Sequence, residues 1–116
     1  MHTFEARGVE ERLLAQGGGY EVVHAAPGIE VGVYVLVAPA PDDQKPHEDD
    51  EVYVVMRGGC VLDVNGVAEP LAEGDAVFVE ALAVHRFRDY ETLSLLVVFT
   101  PPAAEATRLR RATYAD

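Results

Sequence analysis

The sequence predicts an all-β domain of antiparallel strands closed into a sandwich or barrel. Three observations point there. About eight short runs rich in Val, Ile, Tyr and Phe recur, with turn residues roughly every 6–12 positions. Almost no helical periodicity separates these runs, so neighbouring strands pair directly without crossing over. Strands of this kind leave unpaired edges, and closure removes them.

The elements follow in order. Residues 1–19 form an N-terminal extension in which Val9 to Gln16 (VEERLLAQ) has the makings of two helical turns, ended by Gly17-Gly18-Gly19. The core spans about 20–100. Tyr20–Ala26 and Ile29–Ala38 are strands joined by a Pro27-Gly28 turn. In the second of these, Ile29, Val31, Val33, Val35 and Val37 share one face. Glu30 and Gly32 lie on the other, which turns apolar at Tyr34 and Leu36, so this strand is wet at one end and buried at the other. A Pro- and Asp-rich loop, Ala38–Gln44, leads to a strand at Glu51–Met56, and Gly58-Gly59 marks a bend or bulge. Cys60–Val64 and Val67–Leu71 flank Asn65-Gly66, a strong hairpin signal of type I′. After the turn Glu73-Gly74-Asp75 come strands at Ala76–Glu80, His85–Tyr90 and Leu93–Phe99, and Pro101-Pro102 stops the sheet. The tail, about 102–115, reads as a helix with Glu105 near its start and Arg108, Arg110 and Arg111 near its end, as the helix dipole prefers.

Composition bounds the function. A chain of 116 residues, 49% hydrophobic, suits one domain with one core. No apolar run approaches 18 residues, and no basic-then-apolar leader opens the chain, so neither a membrane span nor a secretory signal is expected. The single cysteine, Cys60, has no internal partner, which fits a reducing, cytoplasmic setting and a small buried hydrophobe. The formal net charge is −11. That excess argues against nucleic acid and anionic membranes as partners; it favours solubility and would help retain a cation.

The chemistry is concentrated after the Pro-rich loop, in Lys45-Pro46-His47-Glu48-Asp49-Asp50-Glu51. His47 and Glu51 are four residues apart, about 13 Å on a straight strand. With His47 before a turn and Glu51 after it, the fold can bring them together. Glu48, Asp49 and Asp50 then make a solvated turn; the alternative is that one of these carboxylates guards the pocket mouth. Far along the chain, period two places His85, Phe87 and Asp89 on one face and Arg86 and Arg88 on the other, so the His85 face is the inner one. Glu51, Tyr53 and Val55 share a face, but parity alone does not say whether it points inward. If it does, Glu51 is a buried carboxylate that needs a proton, a donor or a cation. A metal held by His47, Glu51 and His85 meets that need.

These residues resemble the cupins. The family's first motif runs roughly G-x5-H-x-H-x3,4-E-x6-G, and His47, Glu51 and Gly58 match its second histidine, glutamate and closing glycine. The second runs roughly G-x5-P-x-G-x2-H-x3-N, and Gly74 and His85 match its glycine and histidine. The departures are specific. Lys45 stands at the first motif histidine, Glu80 and Leu82 replace the proline and glycine, and Asp89 replaces the asparagine. Gln44 carries an oxygen nearby but is not assigned as a ligand.

The resemblance covers about residues 30–100 and implies a double-stranded β-helix, the jelly-roll barrel, with short terminal helices. It implies a divalent metal, Fe, Mn, Ni or Zn, on His47, Glu51 and His85, and a small organic molecule in the barrel mouth. Two histidines and a carboxylate with open positions suit non-haem Fe(II) or Zn²⁺. The implied enzyme is a metal-dependent dioxygenase or isomerase, with Tyr53 and Lys45 as candidates for a separate acid or base. The alternatives are a binding module without turnover, or a metal-free cupin in which Lys45 pairs with Glu51. Tyr53, Phe87 and Phe78 are candidates to line the pocket. The family resemblance also implies a homodimer.

Overall fold

The computed structural model describes residues 1–100; the expected tail helix at about 102–115, with its arginines, lies outside the described residues. One helix, α1 (Ala6–Ala15), precedes eight strands: β1 (Gly19–Ala26), β2 (Ile29–Val37), β3 (Asp50–Arg57), β4 (Cys60–Val64), β5 (Val67–Leu71), β6 (Ala76–Val79), β7 (His85–Arg88) and β8 (Thr92–Thr100). They form two antiparallel sheets, one in the order β1-β2-β8-β3-β6 and the other β5-β4-β7. Chain neighbours β3 and β4 lie in different sheets, as do β6 and β7, which is the jelly-roll arrangement that the family resemblance implied. No helix among the described residues is long and apolar enough to cross a membrane.

The register decides what faces inward. In β8, Leu93 lies opposite Leu36, Leu95 opposite Tyr34, Val97 opposite Gly32 and Phe99 opposite Glu30. On its other side, β8 pairs Leu95 with Val55, Val97 with Tyr53 and Phe99 with Glu51. These residues share the inner face, because alternate side chains of a strand point the same way. The core of the barrel is therefore Leu36, Tyr53, Val55, Leu62, Val79, Phe87, Leu93, Leu95 and Val97. The β3 question that parity left open is settled inward for Glu51, Tyr53 and Val55.

The opposite face of β2 is also covered. Leu13 of α1 packs on Val33 and Val35, with Leu96 of β8 beside them. This explains why β2 is apolar on both faces: one face closes the barrel and the other receives the helix. Glu10 on the same helix is buried and is bound by Arg57 Nε at 2.9 Å, tying α1 to the end of β3. Burial works to raise the Glu10 pKa, but its hydrogen bonds and the Arg57 charge outweigh that and hold it below the usual value.

The turns behave as their residues require. Asn65 and Gly66 both have positive φ, at 49° and 85°, as a type I′ hairpin demands. Gly58 has φ 83°, and a Cβ there would collide with the Thr92 carbonyl oxygen. The β3–β8 register shifts just before it, between Val55 and Arg57. Phe78 is a correction: it is 61% exposed on the outer surface and is not among the residues that line the cavity in the barrel mouth. It lies opposite Val52 on the outer face, while Val79 of the same strand points into the core.

Candidate metal centre

Two loops and two strands build the site. Pro41 to Asp49 carry no regular structure, so His47 comes from the loop entering β3 and Glu51 from the second position of that strand. His85 opens β7. The loop before β7 is fastened to the β3 entry by backbone: the Leu82 amide donates to the His47 carbonyl at 2.7 Å, and the Ala81 amide to Asp50 Oδ1 at 2.9 Å. These two bonds join the segments that carry the distant motifs, and they bring His85 beside His47 with ring centroids 6.0 Å apart. Leu82 holds φ 67°. The backbone therefore keeps the left-handed turn for which the cupin motif supplies glycine, although the residue has changed.

His47, Glu51 and His85 each offer a ligand atom within 4.8 Å of the others. Glu51 is 1% and His85 4% exposed, and His47 is half-buried. His85 Nε2 and Glu51 Oε1 are 3.4 Å apart. Neighbouring donors on one ion, at bond lengths of about 2.1 Å, stand about 3 Å apart, so a small inward closure suffices.

His85 Nδ1 lies 2.8 Å from the Ala83 carbonyl oxygen, which can only accept. Nδ1 therefore carries the proton of the neutral ring, and Nε2 presents a lone pair inward. Around the Tyr53 hydroxyl stand His85 Nε2 at 2.9 Å, Gln44 Oε1 at 3.1 Å and, closest, Glu51 Oε2. The phenol has one proton and gives it to Glu51. Three acceptors thus surround one phenolic proton at the floor of the barrel mouth. Burial pushes the Glu51 pKa up, against the Tyr53 hydrogen bond and the attraction that His85 and His47 exert whenever their rings are protonated. Burial and the Glu51 charge push the Tyr53 phenol well above its ordinary value, so it stays protonated at neutral pH.

A surplus of buried lone pairs is relieved by a divalent cation or by extra protons. The donor set fits a metal: two imidazoles and a carboxylate, with the outer nitrogen of His85 held by a carbonyl, as metal-ligating histidines are.

Tyr53 is at the centre of the site. Lys45 is exposed and makes no ion pair among the described residues. Phe87 packs edge-on against Tyr53, ring centroids 4.9 Å apart, and belongs to the core. Of the acidic turn, Asp49 lines the pocket while Asp50 ties down Ala81. A cavity of about 320 Å³ opens over the site, walled by Tyr20, Glu30, Tyr34, His47, Tyr53 and Phe99 among others. Gly32 leaves the space that the Tyr20 ring fills, and Tyr20 donates to Glu30 at 2.8 Å.

Asp42 is the buried carboxylate beneath the site that sequence reasoning passed over. It is 1% exposed and accepts from Tyr34, from Gln44 and from the Phe87 backbone amide. Its one local signal was the tendency of Asp to bond the amide two residues on, here Gln44 N at 3.3 Å.

A family model described as "Cupin domain" matches residues 22–99. An uncharacterized protein of Streptomyces coelicolor is 37% identical over 103 residues, covering 88% of this chain and 98% of that one. Among solved structures, an RmlC-like cupin family protein with a double-stranded β-helix fold from Methanocaldococcus jannaschii superposes with TM-score 0.67 at 14% identity, over 80% of this chain and 85% of that one. The DMSP lyase DddQ of Ruegeria pomeroyi gives TM-score 0.67 at 18% identity, over 77% of this chain and 49% of that one. At such identities these structures establish the fold.

Proposed function

The chain belongs to the cupin domain family, and from that premise we propose that it is a divalent-metal cupin acting on a small organic molecule in the barrel mouth. The proposed ligands are His47, Glu51 and His85, and the reaction is of the oxygenase or isomerase kind. The observation that carries this reading is the convergence of two imidazoles and a carboxylate: His47, Glu51 and His85 each bring a ligand atom within 4.8 Å of the others, two of them from buried side chains.

A bound Fe, Mn, Ni or Zn ion would supply Lewis acidity and open positions for substrate. The chain supplies the rest. The Ala83 carbonyl fixes the His85 tautomer. Tyr53 holds a proton on its hydroxyl beside Glu51 and is the residue proposed to deliver it to a bound molecule; Lys45, exposed, is not. Tyr20, Tyr34 and Phe99 offer aromatic walls for a small ligand, which the cavity of about 320 Å³ can admit. The lyase activity named for the Ruegeria structure and the isomerase named, as putative, for a Ralstonia eutropha neighbour both fall within chemistry that such a site can support.

A second reading has one observation in its favour. The Tyr53 hydroxyl lies within hydrogen-bond reach of Glu51, His85 and Gln44, which lets the site close on protons alone, as in a metal-free binding module. Elemental analysis separates the two. Purified protein exposed to Fe²⁺, Mn²⁺, Ni²⁺ and Zn²⁺ in turn should retain one equivalent of at least one of them, and His85→Ala should lose it. Protein that retains none contradicts the metal reading.

A further inference from the structure

We propose that Gln44 is the fourth donor of the metal centre, giving its side-chain oxygen in the role that Lys45 leaves unfilled, and that Asp42 is the positioning residue that aims it. This rests on the metal reading above. Gln44 Oε1 stands 3.2 Å from His85 Nε2, the separation of neighbouring donors on one ion. In the tautomer that places the ring proton on Nδ1 toward the Ala83 carbonyl, Nε2 and Oε1 each turn a lone pair to the space between them. A cation placed there would take both.

The orientation of Gln44 is not free. Its Nε2 donates to Asp42 Oδ2 at 2.7 Å, and a carboxylate can only accept, so turning the amide over would set oxygen against oxygen. Asp42 is itself fixed. The Phe87 amide donates to it at 2.9 Å and the Tyr34 hydroxyl at 2.9 Å. Phe87 lies two residues beyond His85 on β7, so the same strand that carries a ligand also anchors the group that aims the fourth donor. Lys45, one residue away, points to solvent.

The experiment uses the full chain and Zn²⁺ alone. Affinity is measured by competition with a chelating dye for the wild type, Gln44→Leu, Asp42→Asn and Lys45→Ala, with melting in chelator as the check on folding. Gln44→Leu should weaken Zn²⁺ binding at least tenfold. Asp42→Asn, which lets the Gln44 amide turn its NH₂ into the site, should weaken it about 10–100-fold, as loss of an orienting partner does. Lys45→Ala should stay within about twofold. In the wild type, the side-chain NH₂ resonances of Gln44 should shift on adding Zn²⁺, a readout that does not depend on Asp42→Asn folding. Wild-type protein that binds Zn²⁺ while Gln44→Leu binds it equally, or while the Gln44 resonances stay put, overturns the proposal and leaves the three-residue centre standing. Wild-type protein that binds no divalent metal at all overturns the metal reading and this proposal with it.

Discussion

Glu51 shows how one residue can depend on the whole fold. Its carboxylate is buried by the pairing of β3 with β8, and what keeps it tolerable is a set of neighbours drawn from Tyr53, His47 and His85. Two other residues test the account at this scale. Leu82 sits at φ 67° with its side chain 66% exposed, so it bears left-handed strain without burial in return. That conformation costs a non-glycine residue about 1–2 kcal/mol, partly offset by the entropy glycine loses on folding. Leu82→Gly should therefore stabilise the protein by about 0.5–1 kcal/mol in denaturant titration. Cys60 is buried, and burial pushes its thiol from 9.0 up to about 11. Between those values the unfolded chain releases a proton that the folded one keeps. Stability should therefore fall as pH rises above about 9, by at most about 1.4 kcal/mol per pH unit from this group. Cys60→Ala should flatten the slope between pH 8 and 10 relative to wild type.

Among the elements, α1 has the clearest separable role. It covers the outer face of β2 and β8 through Leu13, on the side of the sheet opposite the pocket residue Tyr34. Leu13→Ala should cost about 2–4 kcal/mol in unfolding free energy, as a buried leucine does, and leave metal affinity unchanged. The strands were legible in the sequence to within one or two residues at each end, because Val, Ile and Tyr alternate cleanly between Gly, Pro and Asn turns. Asn65-Gly66 and Gly58 did what their chemistry predicted. Two features were not legible. Which face of β3 points inward depends on β8, more than forty residues later. The importance of Asp42 depends on the Phe87 amide, equally remote. Neither leaves a periodic trace near the residue concerned. The same holds for Phe78: four residues of β6 are too few to give a reliable face until β3 is placed beside them.

For the molecule as a whole, what was legible in advance was that His47, Glu51 and His85 come together, because motif spacing carries the cluster even through the changes at Lys45, Glu80 and Leu82. The part not legible was the polar network beneath it, Asp42–Gln44–Tyr53, which only the closed barrel assembles. A net charge of −11 works in the same direction as the site, since self-repulsion falls when a divalent cation binds. Binding to the folded state alone adds about 2.7 kcal/mol at a hundredfold excess over the dissociation constant. Saturating metal should thus raise the melting midpoint by on the order of 10 °C, and His85→Ala should abolish the rise. The most direct test is an anomalous-difference map of crystals grown with Zn²⁺ and collected at its absorption edge. The account predicts a single strong peak bonded by His47 and His85 nitrogens and a Glu51 oxygen. Electron density closing the Tyr53, Glu51 and His85 network with no peak among them would contradict it.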